Sequence, residues 1–300
     1  MSFIPGSRAD DTLRGTDGTD LILGRHGDDF LLGREGSDIL FGGAGHDFIA
    51  GDNYPPPMEP YDPSNYGPSQ GSTPGPGNNL IFGGAGNDTV VAGYGADTVF
   101  GGAGDDSILG FGSIPVHDFE LVDDGRNLLS GGAGNDFIRG GANDDTLEGG
   151  AGRDTLQGST GVDTLVGGAG HDIFLFGYLA NYGGLRDTAV GPGERDVISD
   201  FRHGQDLIDI SGYHNHHPPP SGQPAGLFLG MGDFVASHAM QARYEFQDGN
   251  TVIQISAPNG FRTDNDPPEK PTEHYVEIEL TGIHHLTASD FILPDSIGPF

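Results

Sequence analysis

Apolar residues recur with a period of nine along the first 175 residues, each in a short run that follows a Gly-rich polar stretch. Gly6, Gly15, Gly24, Gly33, Gly42 and Gly51 mark the step, giving GTDGTDLIL, GRHGDDFLL, GREGSDILF and GGAGHDFIA in succession. The register resumes at GGAGNDTVV (83–91) and again at GGAGNDFIR (131–139), and the last nonapeptide is GGAGHDIFL. Position eight is apolar throughout: Leu13, Ile22, Leu31, Leu40, Ile49, Ile81, Val90, Val99, Ile108, Leu129, Ile138, Leu147, Leu156, Leu165 and Phe174. Each unit therefore predicts a six-residue turn and a three-residue strand with one side chain directed inward. One such unit cannot bury its apolar residue alone, whereas stacked units share a continuous core. Two units make an 18-residue coil. At the parallel-strand spacing of about 4.8 Å, fifteen units span roughly 36 Å.

Two insertions interrupt the count without breaking it. Residues 51–82 read as one unit with 23 extra residues, and 110–130 as one unit with 12 extra, the inserted stretches being about 54–76 and 113–124. They fall in units six and ten, both even, which predicts that they leave from the same edge of the solenoid. The first is rich in Pro and Tyr; insertions gathered on one face often mark a binding surface, and the alternative is a pair of tolerated surface loops.

The polar positions carry the chemistry. Position six is Asp in thirteen units: Asp11, Asp20, Asp29, Asp38, Asp47, Asp88, Asp97, Asp106, Asp136, Asp145, Asp154, Asp163 and Asp172. Asn79 and Asn127 replace it in the two interrupted units. Turn preference alone would accept Asn or Ser there as readily as Asp. Position four is Gly except at Ala9 and Asn143, as a turn needing positive φ or close backbone approach requires. The net charge of −31, from 44 acidic and only 13 basic residues, argues against nucleic acid as a partner and calls for a cation to offset self-repulsion. Without Cys there is no disulfide or thiolate site, and hard oxygen ligands remain. No apolar run reaches membrane-spanning length. The start MSFIPGSRADD lacks a basic region followed by an apolar stretch, so export would use a route other than a classical signal peptide.

Units such as GGAGHDFIA and GGAGNDTVV resemble the GGxGxDxUx repeat of the RTX, or hemolysin-type calcium-binding, proteins. The resemblance implies an all-β fold, a parallel β-roll solenoid of nonapeptide repeats over 1–176, closed by a β-rich C-terminal cap over 177–300. It also implies several Ca²⁺ ions, each between turn n and turn n+2. The earlier turn would give carbonyls from positions two and four with its Asp, the later one carbonyls from positions one and three with its own. On this chain Gly132, Gly134 and Asp136 would then face Gly149, Ala151 and Asp154. Gly141, Asn143 and Asp145 would face Gly158, Thr160 and Asp163. The same rule names Gly84, Gly86 and Asp88 with Gly101, Ala103 and Asp106, and Gly167, Ala169 and Asp172 in a later turn. Of the 13 turn pairs, nine avoid an interrupted turn, and nine ions would move the formal charge from −31 to −13.

Arg195–Ser211, Ala242–Ser256 and His274–Leu293 are similar to the C-terminal domain of serralysin-type secreted metalloproteases, in which the C-terminus carries a type I secretion signal. Asp290-Phe291-Ile292-Leu293 resembles that signal, with seven residues after it. The protease half is absent, since no HExxH occurs. Gly67-Pro68-Ser69-Gln70-Gly71 matches a hydrolase elbow but has no strand-to-helix turn around it. His214, His216 and His217 lack a local carboxylate to complete a transition-metal site. Asp196, Asp200 and Asp206 fit either a further ion or a structural role. Phe174, Phe176, Phe201 and Phe291 are expected in the core of the cap. The resulting expectation is a secreted, extracellular, non-enzymatic calcium-binding protein that folds on Ca²⁺ after type I export and meets a polysaccharide or cell surface. The alternatives are a carbohydrate-interacting accessory module, which needs a basic or aromatic groove, and the carrier domain of an RTX enzyme without its catalytic part.

Overall fold

The computed structural model describes residues 1–52, 77–111, 125–179, 185–186, 191–212, 226–234, 240–256 and 276–293. It divides into two compact units, Met1–Ala142 and Asn143–Phe300. In the first, one sheet runs β1 (Ser2–Pro5), β3 (Asp20–His26), β5 (Ile39–Ala44), β7 (Leu80–Ala85), β9 (Thr98–Ala103), β11 (Leu128–Ala133). The facing sheet runs β2 (Thr12–Arg14), β4 (Phe30–Leu32), β6 (Phe48–Ala50), β8 (Thr89–Val91), β10 (Ser107–Leu109), β12 (Phe137–Ala142). Neighbours within each sheet are parallel, and the chain alternates between the sheets, as a parallel β-roll requires.

Strands of the first sheet are longer than the three residues expected. β5 and β7 pair not only through Ile39↔Leu80 and Leu40↔Ile81 but on through Gly43↔Gly84 and Ala44↔Ala85. The Gly-Gly-Ala opening of the next turn thus stays extended enough to continue the ladder. The insertions leave the register intact. Equivalent Asp residues in successive coils are 18 apart in Asp29/Asp47, 41 apart in Asp47/Asp88 and 30 apart in Asp106/Asp136. Both insertions follow a strand of the facing sheet (β6, β10) and rejoin at a strand of the first (β7, β11), so they leave from one edge, as the parity of units six and ten predicts. The inserted residues themselves lie outside the described ones.

Position eight builds the core. From Ile22 to Ile138 in the first unit every such residue is fully buried. Leu13 in the opening coil is only half-buried, because no earlier coil covers it.

In the second unit β13 (Thr146–Gly152), β15 (Thr164–Gly170) and β18 (Asp196–Ile198) are parallel neighbours, and so are β14 (Thr155–Thr160), β16 (Ile173–Leu179) and β19 (Leu207–Gly212). Strands after the last nonapeptide therefore extend the sheets of the nonapeptides before it, within one compact unit. β17 (Leu185–Arg186) lies antiparallel on β16. The first sheet of this unit then continues through β23 (Val276–Leu280), β22 (Asn250–Ser256), β21 (Met240–Gln247) and the short edge strand β20 (Gly226–Phe228). β21 and β22 form an antiparallel hairpin closed by Asp248 and Gly249, both at positive φ (51° and 89°), the combination that suits a two-residue turn. β24 (Phe291–Ile292) closes the other sheet on β19. Phe174, Phe176, Phe201 and Phe291 are buried as expected. No helix among the described residues is long and apolar enough to cross a membrane.

Candidate metal centre

Each turn is shaped by what its glycines leave out. In the turn Gly42–Asp47, Gly43 and Gly45 take φ of 121° and 139°. Position two of this turn thus takes the left-handed region as position four does, and in other turns Arg25 (87°), Arg34 (82°) and Ser159 (79°) adopt it even with a side chain. Position one is constrained differently. A Cβ on Gly83 would stand 2.5 Å from Asp88 Oδ2 and 2.5 Å from the Gly101 carbonyl oxygen of the next coil. The missing side chain leaves one spot where a carboxylate oxygen and a carbonyl oxygen meet. Gly149 does the same for Asp154 Oδ2 (2.5 Å) and the Gly167 oxygen (2.6 Å).

The position-six carboxylates form a ladder. The N–H of Asp11 donates to Asp29 Oδ1 at 2.8 Å, that of Asp20 to Asp38 Oδ1 at 2.9 Å, that of Asp29 to Asp47 Oδ1 at 2.8 Å and that of Asp88 to Asp106 Oδ1 at 2.8 Å. In the second unit Asp145 donates to Asp163 Oδ1 (2.8 Å) and Asp154 to Asp172 Oδ1 (3.1 Å). One oxygen of each carboxylate is thus spent on the scaffold. The other, Oδ2, is buried without any hydrogen bond in Asp29, Asp38, Asp47, Asp88, Asp106 and Asp172. A buried carboxylate oxygen with no donor is costly unless a cation meets it. Burial pushes Asp38 and Asp47 up to about 6 and Asp106 up to about 7, against the opposing hydrogen bonds from the backbone of the coil before.

The residues present fit Ca²⁺: a charged oxygen beside backbone carbonyls, in a turn too tight for a side chain. Among the described residues no group of three or more His, Asp or Glu is arranged to hold a metal, so most ligands of such an ion would be carbonyls. Gly84, Gly86 and Asp88 lie one coil from Gly101, Ala103 and Asp106 in the first unit, where the paired strands juxtapose Gly84 with Gly102 and Ala85 with Ala103. Gly132, Gly134, Asp136 and Gly141 belong to the first unit. Asn143, Asp145, Gly149, Ala151, Asp154, Gly158, Thr160, Asp163, Gly167, Ala169 and Asp172 belong to the second.

Not every turn presents a bare oxygen. Asp11 Oδ2 accepts the Ser7 N–H, and Asp20 Oδ2 accepts the N–H and hydroxyl of Thr16, so the first two turns cap their own carboxylates. Asp206 does likewise with the Arg202 N–H at 2.7 Å. The ladder runs beyond the nonapeptides, since Asp163 N–H reaches Asp196 Oδ1 (2.9 Å) and Asp172 N–H reaches Asp206 Oδ1 (3.2 Å). Asp200 instead spans the N–H groups of Gly167 and Gly168, at 2.9 and 2.8 Å. The elbow motif at 67–71 and the cluster of His214, His216 and His217 lie outside the described residues.

A second ladder was missed from sequence. The N–H of position five donates back to the side chain at position five of the preceding coil: Asp28 to Asp10 (2.9 Å), His46 to Asp28 (2.8 Å), Asn87 to His46 Nδ1 (2.7 Å) and Asp105 to Asn87 (2.9 Å). The only signal was the frequency of short acceptor side chains there. Its bonds point opposite to those of position six.

Stacked parallel coils carrying a column of half-satisfied carboxylates define a calcium-binding β-roll. The nonapeptides are RTX calcium-binding repeats: the family model matches residues 5–40, 27–53, 73–108, 122–156 and 148–177. No curated protein matches the chain. Among solved structures it is similar to the AlgE6R2 subunit of the Azotobacter vinelandii mannuronan C5-epimerase, at 25% identity and a TM-score of 0.35 over 58% of this chain and 91% of that one. It is also similar to the extracellular lipase LipA of Serratia marcescens, at 16% identity and a TM-score of 0.25 over 97% of this chain but only 39% of the lipase.

Proposed function

We propose that the chain is an extracellular, non-enzymatic scaffold that calcium folds after type I export. The observation that carries this reading is the row of buried Oδ2 atoms without donors. In a calcium-poor compartment those oxygens oppose closure of the turns, and Gly-rich turns have little else to order them. Outside, Ca²⁺ turns the same oxygens into ligands, and its binding free energy becomes folding free energy. The Asp290-Phe291-Ile292 segment supports the same order of events. Asp290 is fully buried and accepts the N–H of Thr287 (2.7 Å) and of Gly204 (3.2 Å), while Phe291 is only 7% exposed. An exporter that reads this segment must meet it before the fold closes.

The outer face favours this reading over a sugar-stacking module. Phe41, Phe82 and Phe100 stack on one another, with centroids 4.7 and 5.2 Å apart and planes within 4° and 14°. Their faces are thereby turned to each other and mainly their edges to solvent. A circular dichroism titration tests the proposal: β-structure should be small in excess chelator and rise cooperatively with Ca²⁺. Full β-structure in chelator at neutral pH would overturn it.

A further inference from the structure

The interrupted turn at Gly51 has lost the position-six carboxylate, and its replacement cannot serve a cation. Asn79 Oδ1 takes up the ladder bond from the Asp38 N–H at 3.0 Å, which fixes the amide's orientation. Its Nδ2 then donates to the Ala92 carbonyl at 3.2 Å. A donor therefore stands where other turns direct an oxygen. Yet the preceding turn on this edge is fully equipped. Asp38 is 1% exposed and its Oδ2 has no hydrogen bond. That oxygen and the Gly51 carbonyl oxygen both press on the place where a Cβ of Gly33 would stand, the same meeting of carboxylate and carbonyl found in uninterrupted turns.

The missing charge is present two positions into the turn. Asp52 stands at position two, where most turns carry Gly, and it is only 7% exposed. Its Oδ2 accepts the Tyr94 N–H of the following coil. Its Oδ1 is buried without any hydrogen bond. That atom lies 3.3 Å from the position a Cβ of Gly77 would take, and the Gly36 carbonyl oxygen of the preceding turn borders the same position. Burial, with the negative charges of Asp38 and Glu35 adding to it, raises Asp52 to about 7 against the hydrogen bond from the Tyr94 backbone.

We infer that the gap between the Gly33–Asp38 turn and the interrupted turn is a rebuilt calcium site, in which Asp52 Oδ1 replaces the absent position-six carboxylate and joins Asp38 Oδ2 and the carbonyls of Gly36 and Gly51. The site keeps two negative charges, as a regular pair of turns does, although the repeat pattern marks it as defective. It rests on the calcium reading above and adds a ligand that the nonapeptide rule does not name.

Dialysis of the full chain against saturating Ca²⁺, followed by metal analysis, tests it. Asp52→Asn should retain β-structure and bind one ion fewer than wild type. Asp52→Asn combined with Asn79→Asp, which returns the carboxylate to position six, should restore the wild-type count. An unchanged count in Asp52→Asn overturns the site while leaving calcium binding by the regular turns standing. Absence of bound Ca²⁺ in the wild type would instead defeat the calcium reading itself. If Asp52→Asn alone fails to fold, the double variant decides: recovery of fold and count supports the site, and failure to recover overturns it.

Discussion

The Asp29 N–H and the Asp47 Oδ1 stand 2.8 Å apart across one coil, which leaves Asp47 Oδ2 as the only carboxylate oxygen of that residue still without a partner. The same side chain thus holds the register and waits for a cation, and substitutions can separate the two tasks.

Asp47→Asn keeps an acceptor for the Asp29 N–H, as Asn79 does for Asp38, but puts a donor where the free oxygen was. It should lower the number of bound Ca²⁺ ions while the roll still forms in excess calcium. Asp47→Ala also removes the rung, leaving a buried N–H unsatisfied at a further cost of about 1–3 kcal/mol. Metal analysis and thermal denaturation of the two variants side by side check the difference.

Acidity should act in opposite directions with and without calcium. In the chelated chain, burial raises Asp38 and Asp47 to about 6 and Asp106 to about 7 from an ordinary 3.8. The folded form then binds more protons than the unfolded one between those values. These groups favour folding fully below the ordinary carboxylate range, and that contribution is lost as pH rises through 6 to 7. More β-structure in chelator at about pH 5 than at about pH 8 is the expected result by circular dichroism. With Ca²⁺ present the order should reverse, because protons compete with the cation for Oδ2.

Gly83→Ala drives a methyl group into Asp88 Oδ2 and the Gly101 carbonyl, so it should destabilise the calcium-loaded chain by more than about 2 kcal/mol. Gly18→Ala is the control, since nothing lies within 4 Å of a Cβ there, and its effect should stay within about 0.5 kcal/mol. Melting temperatures in saturating Ca²⁺ decide between them.

Leu40 is fully buried at position eight. Leu40→Ala should cost about 2–5 kcal/mol, whereas Leu13→Ala in the half-covered opening coil should cost much less. Chemical denaturation in the presence of calcium measures both.

The nine-residue spacing of Gly and Asp, with apolar position eight, was enough to read the coil and its core, because each repeat imposes the same local demand fifteen times. The insertions were legible too, since Asp47 and Asp88 keep their pairing 41 residues apart. What escaped notice depends on neighbours in the next coil rather than on the repeat itself. Gly83 at position one is held to glycine by Asp88 Oδ2 and the Gly101 oxygen, and position five matters because Asp28 answers to Asp10. Ser7 and Thr16 silence Asp11 and Asp20 in a way that identical Asp codes conceal. Asp52 broke the period and so had no place in it.

The looped-out segments after β6 and β10 show how this architecture grows. Each returns to the pairing it left, so the strands above and below are spared any adjustment. Extra sequence at that margin becomes a passenger, carried by a frame whose own geometry does not depend on the passenger's content.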